Sequence, residues 1–226
     1  INPHYLYNTL ETIRMKALTS GNRDVADSIK ILGKTLHYVL ENNGTTFTTL
    51  EKELDHVKNY LAIQKMRFGE RINYIIEIEP GLEPKCYGIL PLLLQPVVEN
   101  AVVHGVENAT WDCFLYVSGE ITDGMAVFTV KDDGVGMSQE QLEKLMGTEE
   151  EPDHEAERTH THLGVYAVRK RLDYVYQNKA RMSITSEPGK GTQVILEIPM
   201  NGNVGVTYRK YDETVNENNK KRGDER

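Results

Sequence analysis

Four short stretches hold the residue types that could do chemistry. DDGVGM, Asp132 to Met137, follows a strand-like run and places glycines at alternate positions. Such a turn bends sharply and lets a flat ligand approach with no Cβ in the way. A carboxylate two residues ahead of its first glycine can accept a hydrogen bond from an exocyclic amine, although the same letters also spell an ordinary turn. PGKGT, residues 188–192, reads equally as a second glycine-rich loop or as a plain hairpin turn. ENAVVHG, residues 99–105, sets Glu99 and Asn100 side by side in an apolar run. An asparagine there has low helix propensity and an amide to satisfy. Asn100 either ends the helix with a hydrogen bond to the next loop or offers an oxygen to Mg²⁺, which takes few protein ligands beside phosphates and water. INPHYLYNTL, finally, carries His4 behind a proline, and an imidazole that stays neutral near pH 7 is a nucleophile.

Each stretch needs an element to hold it. Leu10, Ile13 and Ala17 fall within ~40° of Leu6 at helical phase, and His4 lies at ~160° from it, facing away from that apolar stripe. Asn8 shares its outer face and Glu11 lies nearby. Val25, Ile29, Leu32, Leu36 and Val39 repeat the pattern after a break at Ser20-Gly21-Asn22. Leu50, Leu54, Val57 and Leu61 repeat it again, with Thr48 and Glu51 offering a capping box and Phe68-Gly69 an end. Three such helices suit a bundle, one that a second chain completes. His37 and His56 fall off the stripes and read as surface residues.

From Ile72 the period changes. Ile72, Tyr74, Ile76 and Ile78 alternate with more polar neighbours as in a strand. LPLLLQPVVENAVVHG reads as one mostly apolar helix, with His104 at its end or lining a pocket. CFLYVSGE and MAVFTVKD read as strands joined at Asp123-Gly124, and LGVYAVRKRLDYVY returns to helical spacing. RMSITSEPGKGTQVILEIP reads as a hairpin. Residues 139–162 are acidic with little pattern and read as mobile, a poor frame for a metal site on His154, His160 and His162. This half reads as α+β, with helices on one face of a mostly antiparallel sheet. The expected divisions are 1–70, 71–200 and a polar, disordered tail over 201–226.

The 226 residues carry 26 Lys and Arg against 34 Asp and Glu, a net charge of −8. That balance argues against a nucleic-acid partner. Cys86 and Cys113 have no CxxC spacing, which points to buried thiols in a reducing compartment. No apolar run reaches membrane-spanning length, so no membrane contact is expected of these residues. The first residue is Ile, which suggests a piece of a longer protein.

The stretches acquire meaning from their order. ENAVVHG, DDGVGM, a polar segment, HLGVYAV and GKGT resemble, in sequence, the N box and three glycine boxes of the Bergerat (GHKL) ATPase fold. That fold is shared by histidine kinases, type II topoisomerases, Hsp90 chaperones and MutL proteins. QPVVENAVVHG together with INPHYLYNTL resembles the LytS/YesM-type sensor histidine kinases in particular, over Ile1 to about Pro199. Two departures from the wider pattern, His162 in place of a glycine and Pro96 in place of an asparagine, fit that subfamily.

The resemblance implies an all-α helical dimerisation region followed by an α+β Bergerat sandwich with a mixed, mostly antiparallel sheet. It implies ATP and Mg²⁺ as ligands, Asn100 as the metal ligand, and Asp132 as partner of the adenine amino group. Gly134 and Gly136 would shape the adenine pocket, with Gly191 and Thr192 beside Asp132. Gly164 would open a helix whose amides face phosphate, behind a mobile ATP lid that carries Arg158. Arg169, Lys170 and Arg171 are the candidates for the γ-phosphate. His4 would be the phosphoacceptor, with Glu99 or Glu11 orienting or deprotonating it, in a homodimer that passes the phosphoryl group to an aspartate of a response regulator receiver domain. The parent would be membrane-anchored, with this part on the cytoplasmic side. Two other readings are a Bergerat ATPase that drives a clamp, and a nucleotide-binding signalling scaffold without histidine phosphorylation.

Overall fold

The computed structural model describes residues 3–42, 47–146 and 160–200. Helix α1, Pro3–Thr19, ends where the sequence breaks, and the backbone shows why. Gly21 takes a φ of +77°, its amide donates to Leu18 (3.0 Å) and the Asn22 amide reaches back to Ala17 (2.9 Å). That paired return is a Schellman closure, which needs a residue at positive φ. Helix α2, Arg23–Glu41, then packs on α1. Only Ala26 and Tyr38 of α2 are buried. Ile13 of α1, with Val25, Leu32 and Val39 of α2, remains exposed although the spacing marks these as apolar-stripe residues.

Strand β1, Thr48–Thr49, leads into α3, Leu50–Phe68. The N-cap is Thr49, whose hydroxyl accepts from the Lys52 amide at 3.3 Å, one residue later than the Thr48–Glu51 box expected. Gly69 caps the other end at φ +61°. Leu50, Leu54, Val57 and Leu61 belong to the same buried cluster as the sheet that follows. Helix α3 also packs against α2, so it is covered on two sides and buries His56. The expectation of a surface His56 is therefore wrong, whereas His37 is exposed and pairs with Glu41 at 3.0 Å.

A 3₁₀ turn, Gly69–Arg71, opens β2, Ile72–Ile78. The two residues of β3, Gly88–Ile89, pair with β1. The apolar run expected as one helix divides in three. Pro91 to Leu94 form a turn with Leu92 at φ +54°, α4 spans Gln95–Asn100, and Ala101–Val106 widens into a π-helix. Strands β4, Cys113–Thr122, and β5, Met125–Asp132, are joined by Asp123 and Gly124 at φ 51° and 76°. Two consecutive positive φ values match the twist of a two-residue hairpin. Helix α5, Gln139–Met146, occupies the front of the segment expected to lack structure, with Leu145 buried and Leu142 packed on the core. Residues 147–159, the remainder of the expected lid, and the tail 201–226 lie outside the described residues. Helix α6, His160–Tyr176, and the hairpin of β6, Arg181–Glu187, and β7, Gly191–Pro199, complete the fold.

The sheet order is β2-β4-β5-β7-β6, parallel between β2 and β4 and antiparallel elsewhere. Alternate residues of β4, β5 and β7 (Leu115, Val117, Phe128, Val130, Val194, Leu196) meet Val97, Val98 and Val102 and α6's Val165, Val168 and Leu172 in one core. Helices thus cover one face of a mixed, mostly antiparallel sheet, after an all-α N-terminal region. Cys113 is buried, but Cys86 is exposed, against the expectation of two buried thiols.

Candidate functional site

The three motif segments of the second half converge at the C-terminal end of β5. Asp132 is 2 % exposed, and its Oδ1 accepts from the amides of Gly134 (2.9 Å) and Thr192 (3.3 Å). Burial pushes its carboxyl up to about 6, and the two backbone donors only partly oppose that. The neighbouring Asp133 is exposed and used otherwise: its Oδ1 accepts from the Phe114 amide (2.6 Å) and its carbonyl from the Trp111 indole (3.1 Å). Of the two adjacent aspartates, one anchors β4 and the other is left buried at the site.

Backbone meets backbone around Asp132. A Cβ on Gly134 would lie 2.3 Å from the carbonyl carbon of Gly105. A Cβ on Gly191, at φ +91°, would lie 2.0 Å from the Asp132 carbonyl oxygen. Only glycine permits these approaches. The Val135 amide donates to Gly105 (3.2 Å) and the Gly189 amide to Val135 (2.7 Å), joining the N-box helix, the DDGVGM turn and the β6–β7 hairpin. Gly136, at φ +64°, faces the Glu187 carbonyl. Ser186 ties the same knot: its hydroxyl accepts from Met137 (2.8 Å), donates to Gly191 (3.0 Å) and meets the Thr192 hydroxyl at 2.9 Å. No sequence signal marks Ser186.

Asn100 is buried as the last residue of α4. Glu99 beside it is more open, yet desolvation raises its carboxyl. It also faces Tyr60, whose hydroxyl is raised by burial first and by Glu99 second. His104 is half-buried in the π segment, and its carbonyl, like that of Val103, accepts from Asn108. The π turn brings Gly105 against the Asp132 carboxylate: a Cβ there would lie 2.5 Å from Oδ1. Asn100 and Gly105 thus stand on one continuous helical stretch that abuts Asp132.

Gly164 lies inside α6, which begins at His160, so it does not open that helix as expected. It lies opposite Pro96 of α4. Arg169 and Lys170 are exposed, Lys170 lying over the Tyr166 ring (5.4 Å). Arg171 is committed elsewhere: its guanidinium donates to the carbonyls of Pro91 (2.6 Å) and Leu92 (3.1 Å). The other side of that turn is held by Glu53, which is fully buried. Its carboxylate accepts from the amides of Leu92 (2.9 Å), Leu93 (2.8 Å), Leu94 (2.8 Å) and Gln95 (3.4 Å), and from the Tyr38 hydroxyl. One signal pointed to it: Glu53 falls three residues after Leu50 and four before Val57, on the buried stripe of α3.

His4 is exposed on α1, as its phase requires, with the Asn8 amide nitrogen 3.4 Å from each ring nitrogen. Glu11 points to Arg14, which donates to both carboxylate oxygens (2.6 and 2.8 Å) and holds that carboxyl below its ordinary range. The side chains of His154, His160 and His162 lie outside the described residues. Among the described residues no helix is long and apolar enough to cross a membrane.

Comparison with known proteins gives these features a family. The family described as histidine kinase matches residues 1–72, and that described as histidine kinase-, DNA gyrase B-, and HSP90-like ATPase matches residues 89–202. The chain is 30% identical over 204 residues to the sensor histidine kinase YesM of Bacillus subtilis (strain 168), covering 90% of this chain and 33% of that protein. It is 29% identical over 205 residues to the sensor protein kinase HptS of Staphylococcus aureus (strain USA300), covering 90% and 38%. Among solved structures, the histidine kinase domain of the Erythrobacter litoralis EL346 blue-light activated histidine kinase is 16% identical at a TM-score of 0.48, covering 88% of this chain and 86% of that one. The chain spans about a third of the length of the curated relatives it matches. With a histidine kinase region followed by the ATPase region, related over most of its length to the LytS/YesM-type sensor kinases, the chain belongs to the histidine kinase family.

Proposed function

We propose that this chain is the kinase core of a two-component sensor: it binds Mg²⁺-ATP, phosphorylates His4 and passes the phosphoryl group to an aspartate of a response regulator. The observation that carries the reading is the convergence of three distant segments on a buried carboxylate, Asp132, with an exposed imidazole on the same chain. The donor set fits a purine. Asp132 spends one oxygen on two amides, and a carboxylate has capacity left for an exocyclic amine. Thr192 adds a hydroxyl beside it, and buried Asn100 offers an amide oxygen suited to Mg²⁺. Mg²⁺ would supply neutralisation of phosphate charge.

In the proposed step an unprotonated ring nitrogen of His4 forms a bond to the γ-phosphorus as the bond to the ADP oxygen breaks. The Asn8 amide orients the ring. Glu99, with its carboxyl raised by desolvation, takes the imidazole proton more readily than Glu11, which Arg14 already holds. The exposed apolar residues of α1 and α2, Ile13, Val25, Leu32 and Val39, form the face by which two chains pair. Segments beyond this chain anchor the parent in the membrane, with this core on the cytoplasmic side.

The test is incubation of the chain with Mg²⁺ and γ-labelled ATP. Acid-labile, alkali-stable label that His4→Gln abolishes and His37→Gln retains is the expected result. Nucleotide binding by a dimer with no label would refute histidine transfer and leave an ATPase or a scaffold.

A further inference from the structure

Glu53 lies outside the motifs and yet joins three elements at one point. Five donors converge on its two oxygens: four consecutive backbone amides at the entrance to α4 and the hydroxyl of Tyr38. The carboxylate is 0 % exposed, so water cannot replace any of them. Tyr38 comes from α2, and its ring is fixed by stacking on His56 of α3, centroids 4.4 Å apart at 25°. Behind the turn, Arg171 of α6 holds the carbonyls of Pro91 and Leu92. The turn is gripped from both sides, and α4 runs only from Gln95 to Asn100 before widening at Ala101. So short a helix has no interior hinge, and a displacement at Gln95 reappears at Asn100. Asp132 stands on the sheet and is held there by Gly134 and Thr192, independently of Glu53.

We propose that Glu53 is the positioning residue of the nucleotide site: it sets where Asn100 stands relative to Asp132, and Tyr38 makes that placement depend on α2. Movement of the helical hairpin is thereby read at the metal-binding side of the site and not at the adenine side. This inference rests on the nucleotide role proposed for Asn100.

Two measurements on the chain test it, with variants chosen to fold. Glu53→Ala would strand four amides, so Tyr38→Phe, which keeps the stacked ring and removes one hydroxyl, is the informative change, with Glu53→Gln beside it. The first measurement is hydrogen exchange. A lost bond to a charged group predicts about tenfold faster exchange over residues 92–100 in Tyr38→Phe, with β4, β5 and the Gly105 end of the helical stretch unchanged. The second is titration with ATP in the presence of Mg²⁺ and, separately, of EDTA. Tyr38→Phe weakens Mg²⁺-ATP about tenfold and leaves metal-free ATP within about twofold, a split that general loosening of the fold would not produce. Exchange that quickens only in α2, or equal weakening with and without Mg²⁺, overturns the proposal. If the unaltered chain binds no ATP, the kinase reading fails, and the exchange pattern alone still decides whether Tyr38 and Glu53 control α4.

Discussion

Asp132→Asn separates what the buried carboxylate does for the fold from what it does for a ligand. Its carboxyl is pushed from 3.8 to about 6 by burial, so the folded chain holds this proton more tightly than the unfolded chain. Stability from this group is therefore complete below about pH 4 and is lost as pH rises through about 6. At about 1.4 kcal/mol per pH unit, the interval amounts to about 3 kcal/mol of destabilisation at neutral pH. An amide oxygen can still accept from Gly134 and Thr192, while its NH₂ group must be buried, which takes back about 1 kcal/mol. The net expectation at pH 7.5 is a gain of about 1–2 kcal/mol, raising Tm by roughly 2–8 °C for a domain of this size. The assay is thermal melting of both forms from pH 4 to 8 without nucleotide. The stability of Asp132→Asn relative to the unaltered chain should rise across that acid interval, as the buried carboxyl of the unaltered chain loses its proton. ATP affinity should fall by about a hundredfold in the same variant, because an NH₂ group would face the adenine amine. A variant that melts lower at pH 7.5, or whose difference from the unaltered chain does not change between about pH 4 and 6, would refute the reasoning.

Three further outcomes are expected. Gly134→Ala forces a methyl to 2.3 Å from the Gly105 backbone and should cost about 3 kcal/mol or more, read as a fall in the urea midpoint. Ser186→Ala removes the acceptor of the Met137 amide and should cost about 1–3 kcal/mol by the same measurement. Glu99→Gln should slow labelling of His4 by about a hundredfold or more while Glu11→Gln leaves it nearly unchanged.

Much of this was legible in the chain's letters where the cause is local. The Ser20-Gly21-Asn22 break and the Asp123-Gly124 hairpin follow from backbone preferences that those residues carry themselves. The glycines of DDGVGM announced the close approach of a flat ligand, whereas backbone of Gly105 and Glu187 comes against them; PGKGT read equally as a plain hairpin turn. The failures have tertiary causes. Leu92 adopts φ +54° inside an apolar run because Glu53 and Arg171, distant in sequence, take its amide and carbonyl. Periodicity cannot tell an α-turn from a π-turn over six residues, so the widening at Ala101–Val106 left no trace. His56 lies off the main stripe of α3 and is buried because α2 covers a second side of that helix. Helix α5 has two apolar residues facing the core, too few to establish a period.

The turn from Pro91 to Leu94 also bears on the order in which the chain assembles. Its bonds to Glu53 and Arg171 close loops of 39 and 79 residues. Contacts of such separation form late, after the loop-closure entropy has been met by other pairings. Hairpins such as β4–β5 and β6–β7 can form early from neighbouring residues. A contact made that late contributes little to how fast a chain folds and much to how slowly it comes apart. The candidate site, whose helix α4 starts at that clasp, therefore depends on contacts that span much of the chain.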